Sequence, residues 1–212
     1  VYGSVADALS ATQVDVLVDY TSAAAVEDNV RTAVDAGVHV VVGSSGLTAH
    51  DYAALDERAR ARGVGVFAAG NFSVMAAVLR RSAALAAERI GHWEIFDYAS
   101  DTKSDVPSGT ARELAETLAE VRRPASGVPV EELHGPVEAR GADIAGTRVH
   151  SVRLPTYVVG AEIIFAESGE RLTMKYDPGT SPDLYVAGTL LAIRRVAEVV
   201  GVRRGLDTLL FD

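Results

Sequence analysis

The stretch Val14-Asp15-Val16-Leu17-Val18-Asp19-Tyr20, answered by Val38-His39-Val40-Val41-Val42 after a helical pattern over residues 24–36, decides the fold. Both runs are short, β-branched and apolar almost throughout, as strands buried on both faces of a parallel sheet must be. Strand, helix and strand within about 30 residues make a βαβ unit. The pattern continues with a helix over 50–62 and a third run, Gly65-Val66-Phe67-Ala68-Ala69. The first third of the chain therefore reads as doubly wound α/β.

In such sheets ligands bind beyond the carboxyl ends of the strands, so the informative residues follow each run. They are Thr21-Ser22, then Gly43-Ser44-Ser45-Gly46, then Gly70-Asn71-Phe72-Ser73. Glycines and hydroxyls there let a flat or anionic ligand approach the backbone and hydrogen-bond to it. Plain βα turns use the same residues, but three such turns at one sheet edge favour a ligand. A dinucleotide fold normally opens with a strand and G-x-G-x-x-G, and only Gly3 precedes the first run here. That phosphate-binding turn is expected either to be lost or to lie upstream, leaving the chain short of one βα unit, about 30–40 residues.

The second part has a different rhythm. A helix is predicted over 73–89, followed by Trp93-Glu94-Ile95-Phe96-Asp97-Tyr98, which alternates like a strand. Pro107-Ser108-Gly109-Thr110-Ala111 then opens a helix that runs to residue 121, and 124–136 is a Pro/Gly/Glu-bearing connection. Strand-like runs cover 148–154, 161–165 and 171–176, with no helix between them, so this part is α+β with an antiparallel or mixed sheet. An amphipathic helix is predicted over 187–200, with apolar positions at Leu190, Leu191, Ile193, Val196, Val199 and Val200.

Composition narrows the function classes. The 212 residues are 48% hydrophobic, which suits a globular chain, and carry 20 Lys+Arg against 29 Asp+Glu, a net charge of −9. Affinity for nucleic acid comes from clustered Lys and Arg, so no nucleic-acid partner is expected. The chain has no Cys, which removes thiol nucleophiles. His39, His50, His92, His134 and His150 lack the spacing that puts two imidazoles on one helical face, so no metal is expected. No run approaches the ~20 apolar residues of a membrane span and the first residues do not resemble a signal peptide, so a cytoplasmic protein without a membrane partner is expected.

Only two of the basic residues are Lys, Lys103 and Lys175. The difference matters wherever a proton must move, because an amine can shift its pKa into the working range and a guanidinium effectively cannot. Lys103 lies six residues ahead of a Gly-Thr helix start, in Lys103-Ser104-Asp105-Val106-Pro107-Ser108-Gly109-Thr110-Ala111. Unpaired N–H groups and the helix dipole favour an anion at such a start. One reading is a movable cation beside a cradle for a substrate carboxylate; the other is a capped helix with a solvated lysine.

With these motifs in view, the chain resembles the dihydrodipicolinate reductases over nearly its whole length. The resemblance is carried by Val18-Asp19-Tyr20-Thr21, Gly43-Ser44-Ser45-Gly46-Leu47-Thr48, Asn71-Phe72-Ser73-Val74, the Lys103 to Ala111 motif, Arg140-Gly141-Ala142-Asp143-Ile144, His150-Ser151-Val152-Arg153-Leu154-Pro155 and Gly169-Glu170-Arg171-Leu172-Thr173. It implies a Rossmann-type cofactor-binding domain over 1–72, completed by 186–212, and a substrate-binding and oligomerisation domain over 73–185. It also implies NADPH or NADH as cofactor, a small-molecule carboxylate substrate and a homotetramer. By the same resemblance Gly43, Ser44, Ser45, Gly70, Asn71, Phe72 and Ser73 touch the cofactor. Lys103 is the proton donor, and Gly109 and Thr110, with Ser108 beside them, hold a substrate carboxylate.

Three departures bear on the reaction. The family pattern E-x-H-H-x-x-K-x-D-A-P-S-G-T-A carries two histidines where this chain has Ala99 and Ser100. A further histidine is replaced by Gly160 or Ala161, and Asp177-Pro178-Gly179-Thr180-Ser181-Pro182 lacks an arginine usual there. The expected activity is therefore that of a diverged NAD(P)H-dependent reductase of a cyclic imine or related unsaturated small carboxylic acid, with Lys103, and Tyr98 or Asp101 as helpers, supplying the proton. The alternatives are a non-redox cyclase, isomerase or dehydratase that uses Lys103 as acid or base, and a non-catalytic oligomeric binding protein.

Overall fold

In the computed structural model, which describes residues 1–211, a short helix α1 (Val5–Ala11) starts at Ser4, whose hydroxyl accepts from the Asp7 N–H. The two apolar runs follow as strands β1 (Val16–Asp19) and β2 (His39–Val42), joined by helix α2 (Val26–Asp35). Helix α2 places Val26, Val30, Ala33 and Val34 on one buried face, the 3.6-residue spacing of an amphipathic helix. Helix α3 (Ala49–Arg62) begins at a reciprocal Thr48–Asp51 capping box, ends at Gly63 in the left-handed region, and leads to β3 (Gly65–Ala68). All three strands pair in parallel, with Val40 beside Val66 and Val18 beside Val41.

Helix α4 (Val74–Ala87) leads into the second sheet, whose long central strand is β4 (His92–Ala99). Helix α5 (Gly109–Val121) follows, then two 3-10 turns, at Val130–Glu132 and Val137–Arg140. Strands β5 (Ala142–Ile144), β6 (Thr147–Arg153), β7 (Val159–Glu167) and β8 (Glu170–Tyr176) complete a five-stranded sheet in the order β5-β6-β4-β7-β8. Only the β4/β6 pair is parallel, so the sheet is mixed. The odd-numbered residues of β4, from Trp93 to Ala99, are buried and the even-numbered ones half-buried. Trp93, Ile95, Ile163 and Phe165 meet Leu79, Ala83, Leu114 and Leu118 of α4 and α5 in one core.

The chain then returns through helix α6 (Val186–Arg195), strand β9 (Gly201–Arg204) and helix α7 (Asp207–Phe211). The predicted helix over 187–200 is thus shorter than its apolar pattern: it tightens into a 3-10 turn at Val196–Glu198 and leaves Val199 and Val200 outside. Strand β9 extends the parallel sheet to β1-β2-β3-β9, with Ala68 beside Arg204. A sequence as short and charged as Gly-Val-Arg-Arg carries no strand period. Its pairing is set by the β3 edge and by Asp56 of α3, whose carboxylate accepts the Val202 N–H at 2.7 Å.

The chain divides into two compact units, one of residues 1–74 with the segment from 183 onward, the other of residues 75–182. The first holds the parallel sheet and a core of Val26, Val30, Val40, Val42, Leu55 and Val66. The second holds the mixed sheet and its own core.

Candidate active site

In the first unit the three turns named above lie at the carboxyl edge of the parallel sheet, where β1, β2 and β3 end side by side. Asp19, the last residue of β1, is buried and is the organising group. It accepts from the Thr21 N–H at 3.1 Å, the Thr21 hydroxyl at 3.0 Å, Asn29 Nδ2 at 2.9 Å and the Ser44 hydroxyl at 2.5 Å. Burial alone would push this carboxyl up, but the hydrogen bonds from Ser44, Asn29 and Thr21 outweigh it and hold the group below the usual Asp range. The turn after β2 is thereby tied to the turn after β1.

Tyr20 follows with its ring laid across Gly43, where a Cβ would come within 2.2 Å of Tyr20 Cε1, so only glycine fits there. Edge-on contacts run from Tyr20 to Phe72 at 5.8 Å and from Phe72 to Phe67 at 6.2 Å. The Tyr20 hydroxyl lies 2.7 Å from Thr189 Oγ1 on α6. Because Thr189 gives its own proton to the Tyr185 carbonyl, Tyr20 is the donor. Helix α6 comes so close to the third turn that a Cβ on Gly188 would sit 2.1 Å from the Phe72 carbonyl oxygen.

These contacts divide the expected cofactor residues by what they present. Phe72 and Ser73 are buried, the Ser73 N–H closes a turn on Asn71 Oδ1 at 2.8 Å, and the Ser44 hydroxyl is engaged by Asp19. Ser45 and Gly70 are exposed, and Gly43 and Asn71 are half-buried. A braced, glycine-bearing backbone at the carboxyl edge of a parallel sheet leaves room for a flat or anionic ligand to approach the main chain.

In the second unit β4 ends at Ala99 and a loop leads to α5. The loop opens with a turn in which the Lys103 N–H donates to the Ser100 carbonyl at 3.0 Å. Lys103 Nζ lies 2.7 Å from Asp105 Oδ1, and both side chains are 28% exposed, so the ammonium is anchored yet reachable. Ser108 is buried and caps α5, its hydroxyl accepting the Ala111 N–H at 3.3 Å. Gly109 opens the helix proper and Thr110 is 9% exposed within its first turn.

Beneath this loop lies a set of groups that the sequence alone does not single out. Asp97 is fully buried, and its Oδ2 accepts from the Ser108 N–H at 3.0 Å, the Ser151 hydroxyl at 3.0 Å and Arg153 Nη2 at 2.8 Å. The same Nη2 donates to the Asp105 carbonyl at 2.9 Å. The signal was present as an acid on the inward phase of an alternating strand, where burial demands a partner. Its two side-chain partners, Ser151 and Arg153, however, lie about 55 residues downstream on β6.

Ala99 is fully buried at the end of β4, and the Ser100 hydroxyl bonds locally to Asp101 and Thr102, so neither supplies an acid in the manner of a histidine. Tyr98 points to the opposite side of the sheet from Asp97. Its hydroxyl donates to Glu162 Oε2 at 3.0 Å, and burial together with that carboxylate pushes its pKa up to about 12. A phenol held in this way is poorly matched to proton transfer near neutral pH. Lys175 lies 5.0 Å over the Tyr98 ring and pairs with Asp177 at 3.3 Å. On the same open face His150 Nε2 lies 2.7 Å from Glu94, which also pairs with Arg140, and the imidazole stacks on Phe96 at 4.9 Å. Among the described residues no three His, Asp or Glu side chains converge as a metal site, and no helix is long and apolar enough to cross a membrane.

Comparison with known proteins covers both units. Residues 1–72 match the family model "Dihydrodipicolinate reductase, N-terminus" and residues 71–209 match "Dihydrodipicolinate reductase, C-terminus". The 4-hydroxy-tetrahydrodipicolinate reductase of Moorella thermoacetica is 40% identical over 206 residues, spanning 97% of this chain and 76% of that protein. The corresponding reductase of Streptococcus pneumoniae is 38% identical over 202 residues, 95% of this chain and 79% of the relative. Among solved structures, the dipicolinate-bound dihydrodipicolinate reductase from Paenisporosarcina sp. TG-14 superposes with a TM-score of 0.70 at 30% identity, covering 92% of this chain and 73% of that one.

Proposed function

The chain belongs to the dihydrodipicolinate reductase family, and from that premise we propose that it is an NAD(P)H-dependent reductase of a cyclic imine or related unsaturated small carboxylic acid. The observation that carries the reading is the Lys103–Asp105 ion pair at 2.7 Å on the loop that opens α5. It holds a proton-bearing amine on the same short segment as a helix N-terminus.

The first unit is the cofactor domain in this reading. Gly43, Ser45, Gly70 and Asn71 offer backbone and small polar groups at the sheet edge, while Ser44, Phe72 and Ser73 brace the turns through Asp19, Tyr20 and Asn71. A nicotinamide nucleotide held there would supply the hydride for reduction of the substrate's double bond. In the second unit the Gly109–Thr110 end of α5 holds the substrate carboxylate by its N–H groups and dipole. Ser108 contributes as the cap that sets where the helix begins. Lys103 as ammonium delivers the proton that completes reduction of the double bond, and its exposure allows reprotonation from water. With Ala99 and Ser100 where the family pattern carries its histidine pair, Lys103 is the proton donor in this reading. A homotetramer formed through the helix-free face of the mixed sheet, which presents Phe96 and Ile164, completes the reading.

The test supplies full-length protein with NADH or NADPH and a panel of cyclic imines, including the substrate of the named relatives, and follows loss of nicotinamide absorbance. Turnover of at least one carboxylated imine is expected, with dipicolinate as a competitive ligand. No turnover together with no thermal stabilisation by either nucleotide overturns the assignment.

A further inference from the structure

The geometry points to Arg153 as a positioning residue for the Lys103 loop, a role that rests on the reductase reading for its effect on catalysis but not for its effect on the loop. Arg153 is the last residue of β6 and pairs with Ala99, the last residue of β4, so it stands where the chain leaves the sheet to form that loop. Its side chain is 15% exposed and Asp97 is fully buried, so water and salt screen the pair little.

The contacts of this one guanidinium fall on both sides of the loop. Nη2 donates to Asp97 Oδ2 at 2.8 Å and to the Asp105 carbonyl at 2.9 Å, while Nη1 donates to the Val152 carbonyl at 3.0 Å. Asp97 in turn accepts the Ser108 N–H at 3.0 Å and the Ser151 hydroxyl at 3.0 Å. Asp105 is therefore held through its backbone by Arg153, and its side chain holds Lys103. Ser108, which sets the start of α5, is held by the carboxylate that Arg153 neutralises. The amine that moves the proton and the helix end that binds the carboxylate are thus referred to a single ion pair, which fixes one relative to the other.

Only a planar fork with several fixed donors meets the Asp97 carboxylate, the Asp105 carbonyl and the Val152 carbonyl together. A lysine keeps the charge opposite Asp97 but presents a compact ammonium on a flexible stem, so the bridge to residue 105 is lost. Misplacement of a catalytic group by about 1 Å can cost on the order of 100-fold in rate.

The experiment compares full-length wild type, Arg153→Lys and Arg153→Ala by hydrogen exchange and steady-state kinetics. In Arg153→Lys, exchange across residues 100–111 is expected to rise about tenfold or more while β7 and β8 exchange as in the wild type. The same variant is expected to lose about 10- to 100-fold in kcat, with KM for the nicotinamide nucleotide within twofold of wild type. Guanidinium ion at millimolar concentration is expected to restore part of the lost kcat in Arg153→Ala, which a general loss of folding would not permit. Unchanged exchange over 100–111 overturns the inference whatever the activity. Raised exchange with unchanged kcat also overturns it, since the loop would then be held for no catalytic purpose. A wild type without turnover sinks the reductase reading instead, and the exchange data still decide whether Arg153 holds the loop.

Discussion

Replacing Asp19 by Asn asks whether the cofactor edge is held together by a carboxylate or merely by a residue of that shape. Asn keeps the volume and one carbonyl-like oxygen, so the bonds from the Thr21 N–H and the Ser44 hydroxyl to Oδ1 can survive. At Oδ2 an amide nitrogen would instead face Asn29 Nδ2, now 2.9 Å away, setting donor against donor in a buried place. A hydrogen bond to a charged group contributes roughly 1.5–3 kcal/mol, and leaving a buried donor unmade costs a similar amount. A loss of about 2–3 kcal/mol at neutral pH follows, or a Tm lower by roughly 5–10 °C for a chain of this size. The pH dependence gives the sharper test. The folded carboxyl is held below its ordinary value, so its contribution is complete above an unfolded pKa near 3.9 and is lost as pH falls through the lower, folded one. Thermal melts of both proteins at pH 7 and at pH values below about 4 should therefore show a gap that narrows on acidification. Equal melting temperatures at pH 7, or a gap that does not narrow in acid, would refute the reasoning.

Three further outcomes are expected. Lys103→Ala should lower kcat by about 10²- to 10⁴-fold with little change in dipicolinate affinity by calorimetry, and Lys103→Arg should not restore it, because a guanidinium does not release its proton. Tyr98→Phe should leave kcat/KM within about threefold of wild type, while ultraviolet titration should lose the tyrosine that ionises at about 12. Gly188→Ala places a methyl 2.1 Å from the Phe72 carbonyl oxygen, so α6 or the third turn must shift. A destabilisation of about 1–3 kcal/mol by urea unfolding is expected, with weaker nucleotide binding.

Much of the architecture was legible because it is written in short-range periodicity. The runs at His39–Val42 and Gly65–Ala68 are apolar and buried nearly throughout, whereas Val16–Asp19 lies at the sheet edge, leaves Val18 exposed and buries only Asp19; the alternation of His92–Ala99 marks a sheet with one covered face. The helix opened by Ser108 was equally visible, since a cap and the apolar spacing after it are local properties. Strand β9 and the early end of α6 were not, because four residues with two arginines have no pattern of their own and take their conformation from the β3 edge and Asp56. The same limit applied to the site. Lys103, Ser108, Gly109 and Thr110 stand within eight positions and form one local motif, whereas Asp97, Ser151 and Arg153 come together only through the pairing of β4 with β6.

By itself, then, the sequence determined the classes of the two units, the positions of the turns at the sheet edge and the one lysine placed ahead of a helix start. Each of these depends on residues close enough along the chain to share a turn of helix or a few steps of strand. Only the tertiary structure decided what those groups rest on: Asp19 holding Ser44, Tyr20 reaching Thr189, and Arg153 joining Asp97 to residue 105. Such contacts depend on strand register and on which polar groups must find partners once water is excluded, and neither is written in any local stretch of the chain.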